Sequence, residues 1–128
     1  MAVHLHDYDS HYHPAMPVIE IVLHRRAGEP GITIKAIVDS GSDGTIIPLQ
    51  YLRSLKARKG RTRWLSTLDG LRQEIDLYGV VIRVGNYRPF HLEVVGLENR
   101  REAIVRRDIL NQFVVTLNAP ALTVEISE

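Results

Sequence analysis

Asp39 ends the run Ala36-Ile37-Val38 and opens Ser40-Gly41-Ser42-Asp43-Gly44-Thr45, placing a carboxylate where an apolar strand gives way to small residues. Two roles fit an acid in that setting. In one, Asp39 accepts a nearby backbone N–H and caps its own turn. In the other, a two-fold axis passes beside the turn and two copies of Asp39 meet in a dry cleft. Two such carboxylates cannot both comfortably be ionised, so they share one proton. One can then take a proton from a bound water while the other hydrogen-bonds to the carbonyl under attack. A lone carboxylate is a poor base for hydrolysis, and the chain has one such element. A second chain must supply the other acid. Beside it, the Ser40 hydroxyl suits a hydrogen bond across the axis, and Gly41 lets backbone approach an extended peptide. Ser42 is small enough to leave the cleft floor open, and Asp43 adds an acid four residues on.

With 128 residues the chain makes one domain, short for an enzyme with a cleft between two internal lobes. A cyclic dimer supplies the missing half. The net charge of +1 gives no global reason to expect nucleic acid. Arg53, Lys56, Arg58, Lys59, Arg61 and Arg63 nevertheless cluster with no acid among them. They read as a solvated helix end and loop, with a docking patch for an acidic partner as the other reading. The absence of cysteine excludes disulfides, thiolate chemistry and Cys-ligated metal. His4-x-His6 and His11-x-His13 have chelating spacing but no acid set pinned with them, so no metal site and no cofactor are expected. Met1–Tyr12 holds acids and histidines rather than an apolar leader, and no window approaches the roughly 20 apolar residues that span a bilayer. A soluble, cytoplasmic protein without membrane partners is the expectation.

The elements that must position Asp39 are mostly strands. Residues 1–17 show no sustained period and read as a flexible arm, leaving 18–128 as the folded domain. Val18–His24 and Ile32–Val38 are β-branched runs joined by a turn containing Gly28, Pro30 and Gly31, which makes a hairpin. Ile46-Ile47 is a brief strand. Pro48 opens a helix in which Leu49, Leu52 and Leu55 recur at helical spacing. Strand signal continues over Thr62–Thr67, Leu71–Tyr78, Val80–Val84, Phe90–Val95, Val114–Leu117 and Leu122–Ile126, with Asp69-Gly70 as a strong turn pair. Asp108–Phe113 fits one or two helical turns capped by Asp108. Short strands at even spacing with two short helices predict an all-β fold, a small closed barrel. No crossover is long enough for a doubly wound sheet.

The run Ala36–Thr45 resembles the catalytic loop of retropepsins, the single-lobe aspartic proteases typified by retroviral proteases. A second signature of that family, an apolar pair, Gly, Arg, Asp or Asn and another apolar pair, is matched by Ile104-Val105-Arg106-Arg107-Asp108-Ile109-Leu110. Arg106 stands where the family has Gly. The resemblance covers about Val18 to Ile126. It implies an acid-protease barrel that dimerises about a two-fold axis and hydrolyses peptide bonds, with Asp39 as the catalytic carboxylate. It further implies Ser40, Gly41 and Ser42 as the supporting loop and an ion pair between Asp43 and Arg107. A hairpin cover is expected over Trp64–Tyr78 with Leu68, Asp69, Gly70 and Leu71 at its tip, Trp64 being a packed core or hairpin-base aromatic. Ile37, Ile46, Ile47, Val105 and Ile109 are expected as pocket walls, Leu68 contributing from the tip. The partners are a second copy of the chain and an extended peptide, without nucleic acid. The alternative is a dimer of the same fold that binds or scaffolds with little proteolysis.

Overall fold

The computed structural model describes residues 3–66 and 69–128. Its strands are His4–Asp7 (β1), Val18–His24 (β2), Gly31–Val38 (β3), Ile46–Pro48 (β4), Arg58–Ser66 (β5), Arg72–Arg83 (β6), Phe90–Leu97 (β7), Ala103–Val105 (β8), Val114–Asn118 (β9) and Thr123–Ser127 (β10). The two helices are Leu49–Leu55 (α1), following β4, and Arg107–Leu110 (α2), following β8. The architecture is the expected one, mostly β with a small closed barrel.

Alternation builds the barrel. Ile19, Ile21 and Leu23 of β2 and Ile34 and Ala36 of β3 turn inward, with Ile21 opposite Ile34 in an antiparallel pair. The main sheet runs β2-β3-β8-β4-β7-β6-β5, and β2 also pairs with β6, Leu23 opposite Ile82. That last pairing closes six strands on themselves and leaves β5 outside, paired as a strand only with β6. Closure removes exposed sheet edges, and one core forms around Ile19, Ile21, Leu23, Ile47, Ile82, Val94, Val105 and Ile109. Leu52 packs the apolar face of α1 onto that core, and the helix stops at Lys56, which takes a left-handed conformation.

A smaller antiparallel sheet, β1-β10-β9, lies at the chain's two ends. Val124 and Ile126 of β10 are fully buried against the barrel. Tyr87 donates its hydroxyl to Ile126 O at 3.1 Å and meets the His4 ring edge-on, which ties this sheet to the barrel. The segment read from sequence as an arm thus contributes a strand. Its alternation escaped notice because the inward residues of β1 are His4 and His6, not aliphatics. After β1, Asp9 pairs with Met16 through reciprocal backbone hydrogen bonds, and its carboxylate caps the turn by accepting the His11 N–H at 2.9 Å.

Two boundaries differ from the sequence reading. β6 runs unbroken through Gly79, where the sequence suggested two strands, because antiparallel pairing with β7 continues from Asp76 to Ile82. β5 begins at Arg58, four residues early, since Arg58 and Lys59 pair with Gly79 and Tyr78 ahead of an irregularity at Gly60-Arg61. The basic run therefore lies on α1 and β5. Arg53 pairs with Glu98, Lys59 with Asp76 and Arg61 with Glu93, an exposed set of pairs of small energetic weight. No helix among the described residues is long and apolar enough to cross a membrane.

Candidate active site

β8 lies between β3 and β4, parallel to β3 and touching β4 antiparallel at Ile46–Ile104. The loop from β3 to β4 must therefore pass over the end of β8, and the residues after β8 pin it there. Asp39 N–H donates to Val105 O at 2.9 Å. Arg107 N–H donates to Ser42 O and Asp108 N–H to Asp43 O, both at 3.1 Å. The two sequence signatures are two halves of one backbone knot.

Thr45 is the centre of that knot and the one fully buried polar residue among those described. Its N–H donates to Asp108 Oδ2 at 2.9 Å, its hydroxyl donates to Asp108 Oδ1 at 2.6 Å, and the hydroxyl accepts the Arg106 N–H at 3.1 Å. Every hydrogen-bonding capacity that burial would otherwise leave costly is used. The sequence reading made Asp108 a helix cap. Instead α2 starts at Arg107, and the Asp108 carboxylate crosses to the loop. A Thr six residues after an Asp and an Asp in a distant motif carry no mutual signal in one sequence.

Asp39 stands at the end of β3 with its side chain about 38% exposed. Its Oδ1 accepts the Gly41 N–H at 2.9 Å, the Asx turn expected of an acid before Ser-Gly. A Cβ on Gly41 would lie 3.1 Å from that oxygen, so Gly at this position gives the carboxylate room. Ser40 and Gly41 are exposed, while Ser42 is partly covered.

The other Asp39 oxygen faces Arg106. Oδ2 lies 3.3 Å from Arg106 Nε, a charge contact off the line of a hydrogen bond. Nε is itself buried without a hydrogen-bond acceptor, and Nη1 reaches Gly44 O only at 3.5 Å. The long Arg106 side chain is accommodated by lying along the loop toward Asp39. The expected ion pair between Asp43 and Arg107 does not form: Arg107 Nε instead donates to Ser42 O at 3.2 Å. Arg107 still braces the loop, through a carbonyl in place of a carboxylate.

β5 and β6 form a hairpin over the span where a cover is expected. Its strands pair from Arg58–Gly79 to Ser66–Arg72, and Asp69 Oδ1 accepts the Leu71 N–H at 3.2 Å at the tip. Gly70 takes φ 82°, the left-handed conformation that the Asp-Gly turn predicts. Asp69, Gly70 and Leu71 are exposed there, while Leu68 lies outside the described residues. Trp64 is not a packed base residue: it is 58% exposed, with the Arg72 guanidinium 5.2 Å from its ring centroid.

Between hairpin and loop lies a cavity of about 600 Å³. Arg63, Trp64, Gln73 and Ile75 line it from the hairpin, Ser42, Asp43, Gly44 and Arg106 from the loop side, and Leu92 and Val95 from β7. Of the expected wall residues, Ile46 lines this cavity. Ile47 points the opposite way from Ile46 along the strand and is fully buried, as are Val105 and Ile109; these three build the core behind the loop. Ile37 is partly covered, paired with Val18 and Ile104 on the outer side of β3. A separate groove of about 490 Å³ between α1 and residues 97–101 holds Arg53, Arg100 and Arg101 but none of the motif residues. Among the described residues no three His, Asp or Glu side chains gather around a common point that would hold a metal.

The fold has counterparts among solved structures. The retropepsin-like aspartic protease from Rickettsia conorii matches with a TM-score of 0.66 over 98% of this chain and 90% of that one, at 9% sequence identity. EIAV protease, in complex with the inhibitor HBY-793, matches with a TM-score of 0.55 over 76% of this chain and 86% of that one, at 18% identity. The fold is retropepsin-like. No family profile and no curated protein matches the sequence.

Proposed function

We propose that this chain is an aspartic endopeptidase that works as a homodimer, with one Asp39 from each copy. The observation that carries the reading is the position of Asp39: partly exposed at a strand end, outside the cavity lining itself but on the loop whose Ser42, Asp43 and Gly44 line the cavity beneath the hairpin. In the proposed dimer the two Asp39 side chains hold a single proton between them and activate a water for attack on a peptide carbonyl. The protonated partner polarises that carbonyl, so the step needs neither metal nor covalent intermediate. Ser40, exposed beside Asp39, links the two loops, and Gly41 leaves its backbone open to the ligand. The substrate is an extended peptide whose alternate side chains enter the cavity, as strand-like recognition requires. The exposed Val3, Leu5, Val114 and Leu117 of the terminal sheet offer the second copy an apolar surface.

A diverse peptide library tests this with wild type and Asp39→Asn, alongside sedimentation of both. Cleavage by a dimer, abolished in Asp39→Asn and blocked by a transition-state mimic, is the expected result. A monomer at working concentration, or cleavage that survives the substitution, refutes it. The Asp39–Arg106 contact favours a second reading, a retropepsin-fold binding module with little proteolysis, because the guanidinium occupies one oxygen of the acid. That reading expects saturable peptide binding with no turnover.

A further inference from the structure

The cavity between hairpin and loop is unusual in the cations it presents. Arg61 is already engaged by Glu93 at 2.8 Å. Arg63, on the hairpin, makes no ion pair among the described residues yet lines the cavity. Arg106 lines it from the opposite wall, with Nε buried, without a hydrogen-bond acceptor, and with its charge balanced only by Asp39. Of the cavity's acids, Glu93 is taken by Arg61 and the Asp108 carboxylate by Thr45. Asp43 is exposed on the loop and makes no ion pair among the described residues. Leaving Asp39 would strip the buried Nε of its counter-charge, a loss that another anion can make good.

We infer that Arg63 and Arg106 form a two-walled carboxylate receptor, and that the peptides this cavity takes carry an Asp or Glu side chain which draws Arg106 off Asp39. The inference rests on the reading of Asp39 as the reacting acid and names its substrate class. A planar guanidinium matches a carboxylate in two parallel hydrogen bonds, and Arg106 Nε has no hydrogen-bond acceptor while Nη1 reaches Gly44 O only at 3.5 Å. Entry of the acid thereby couples recognition to the freeing of Asp39. Arg106 is the specificity-determining residue and Arg63 its partner across the cavity.

The test compares peptides that differ only by Glu against Gln at single positions, with wild type, Arg106→Gln, Arg63→Gln and Asp43→Asn. Expected is a preference of about tenfold or more in kcat/KM for the Glu peptide at one position, the scale of a charge-assisted hydrogen bond. Arg106→Gln should abolish the preference, so that the Glu and Gln peptides are cleaved with equal kcat/KM. Arg63→Gln should weaken the preference. Cleavage without any acidic preference, or a preference untouched by Arg106→Gln, overturns the inference and leaves the protease reading standing. A preference that vanishes in Asp43→Asn but not in Arg106→Gln assigns the effect to Asp43 and overturns it too. If nothing is cleaved, the protease reading fails by itself. Titration of the same peptide pairs into wild type then decides the receptor through fluorescence of Trp64, the only tryptophan and on the cavity wall. Tighter Glu binding, lost in Arg106→Gln, supports it; equal binding refutes it.

Discussion

Thr45 gives both of its donors to Asp108, the hydroxyl to Oδ1 at 2.6 Å and the N–H to Oδ2 at 2.9 Å, across 63 residues of sequence. This pair holds the acid-bearing loop against the turn after β8. Thr45→Val keeps the shape and removes the hydroxyl, leaving the Arg106 N–H without its acceptor and the Asp108 carboxylate with one donor fewer. A buried unsatisfied N–H and a lost charge-assisted bond together cost about 3 kcal/mol. Chemical denaturation should show that loss. The double variant Thr45→Val/Asp108→Ala should cost less than the sum of its two single variants, since the two residues act on one bond network.

Gly85 ties the terminal sheet to the barrel by having no side chain. It takes φ 56°, and a Cβ there would fall 2.5 Å from the His4 ring. The ring accepts the Asn86 N–H at 3.2 Å and rests against Tyr87. Gly85→Ala should therefore cost about 2 kcal/mol or more, from backbone strain and displacement of His4. Faster amide exchange in β1 than in β3 would locate the damage. Uniform protection in the variant would contradict it.

Much of this fold was legible because its strands obey the simplest rule, apolar residues at alternate positions. β2, β3 and β7 show it plainly, and Asp69-Gly70 marks its hairpin turn through a left-handed glycine. Asp39 was legible as a turn-forming acid for the same local reason. What eluded sequence was set by contacts between distant residues. β1 buries histidines, so its alternation does not look apolar. Trp64 was assigned to packing on hydrophobicity alone, yet β5 lies outside the closed barrel and leaves it exposed. The Arg107 bond to Ser42 O and the Arg106 approach to Asp39 depend on how two loops cross over β8. Chain order cannot report that crossing.

Trp64 separates stability from recognition. Its ring is exposed and stacks on Arg72 at the hairpin, a contact worth about 0.5–1 kcal/mol at such a site. Trp64→Ala should lower stability by no more than about 1 kcal/mol. Peptide binding in the cavity should fall by about 2 kcal/mol, the scale of an aromatic anchor. Calorimetry on the folded variant separates the two effects. Equal losses in both would assign Trp64 to structure alone.

His6 gives the terminal sheet a pH dependence of definite sign. Its Nδ1 accepts the Glu20 N–H at 3.3 Å, and its Nε2 is buried without a partner. Burial holds its pKa below the usual 6.5, opposed by the charge of Glu20 and reinforced by His4. In the window between that lowered value and 6.5, the unfolded chain binds a proton that the folded chain refuses. Stability therefore rises with pH across the window, and acidification through 6.5 removes it. Urea midpoints at pH 7.5 and 5.5 should fall toward acid, and His6→Gln should flatten part of that fall, the remainder belonging to other groups. An identical pH slope in wild type and His6→Gln would show that His6 does not carry it. If the terminal sheet is also the dimer surface, acidification loosens the assembly on which the proposed cleavage depends. The pH profile of cleavage in wild type should then fall more steeply on its acid side than that of His6→Gln at equal, low protein concentration, and the difference should vanish when concentration is raised.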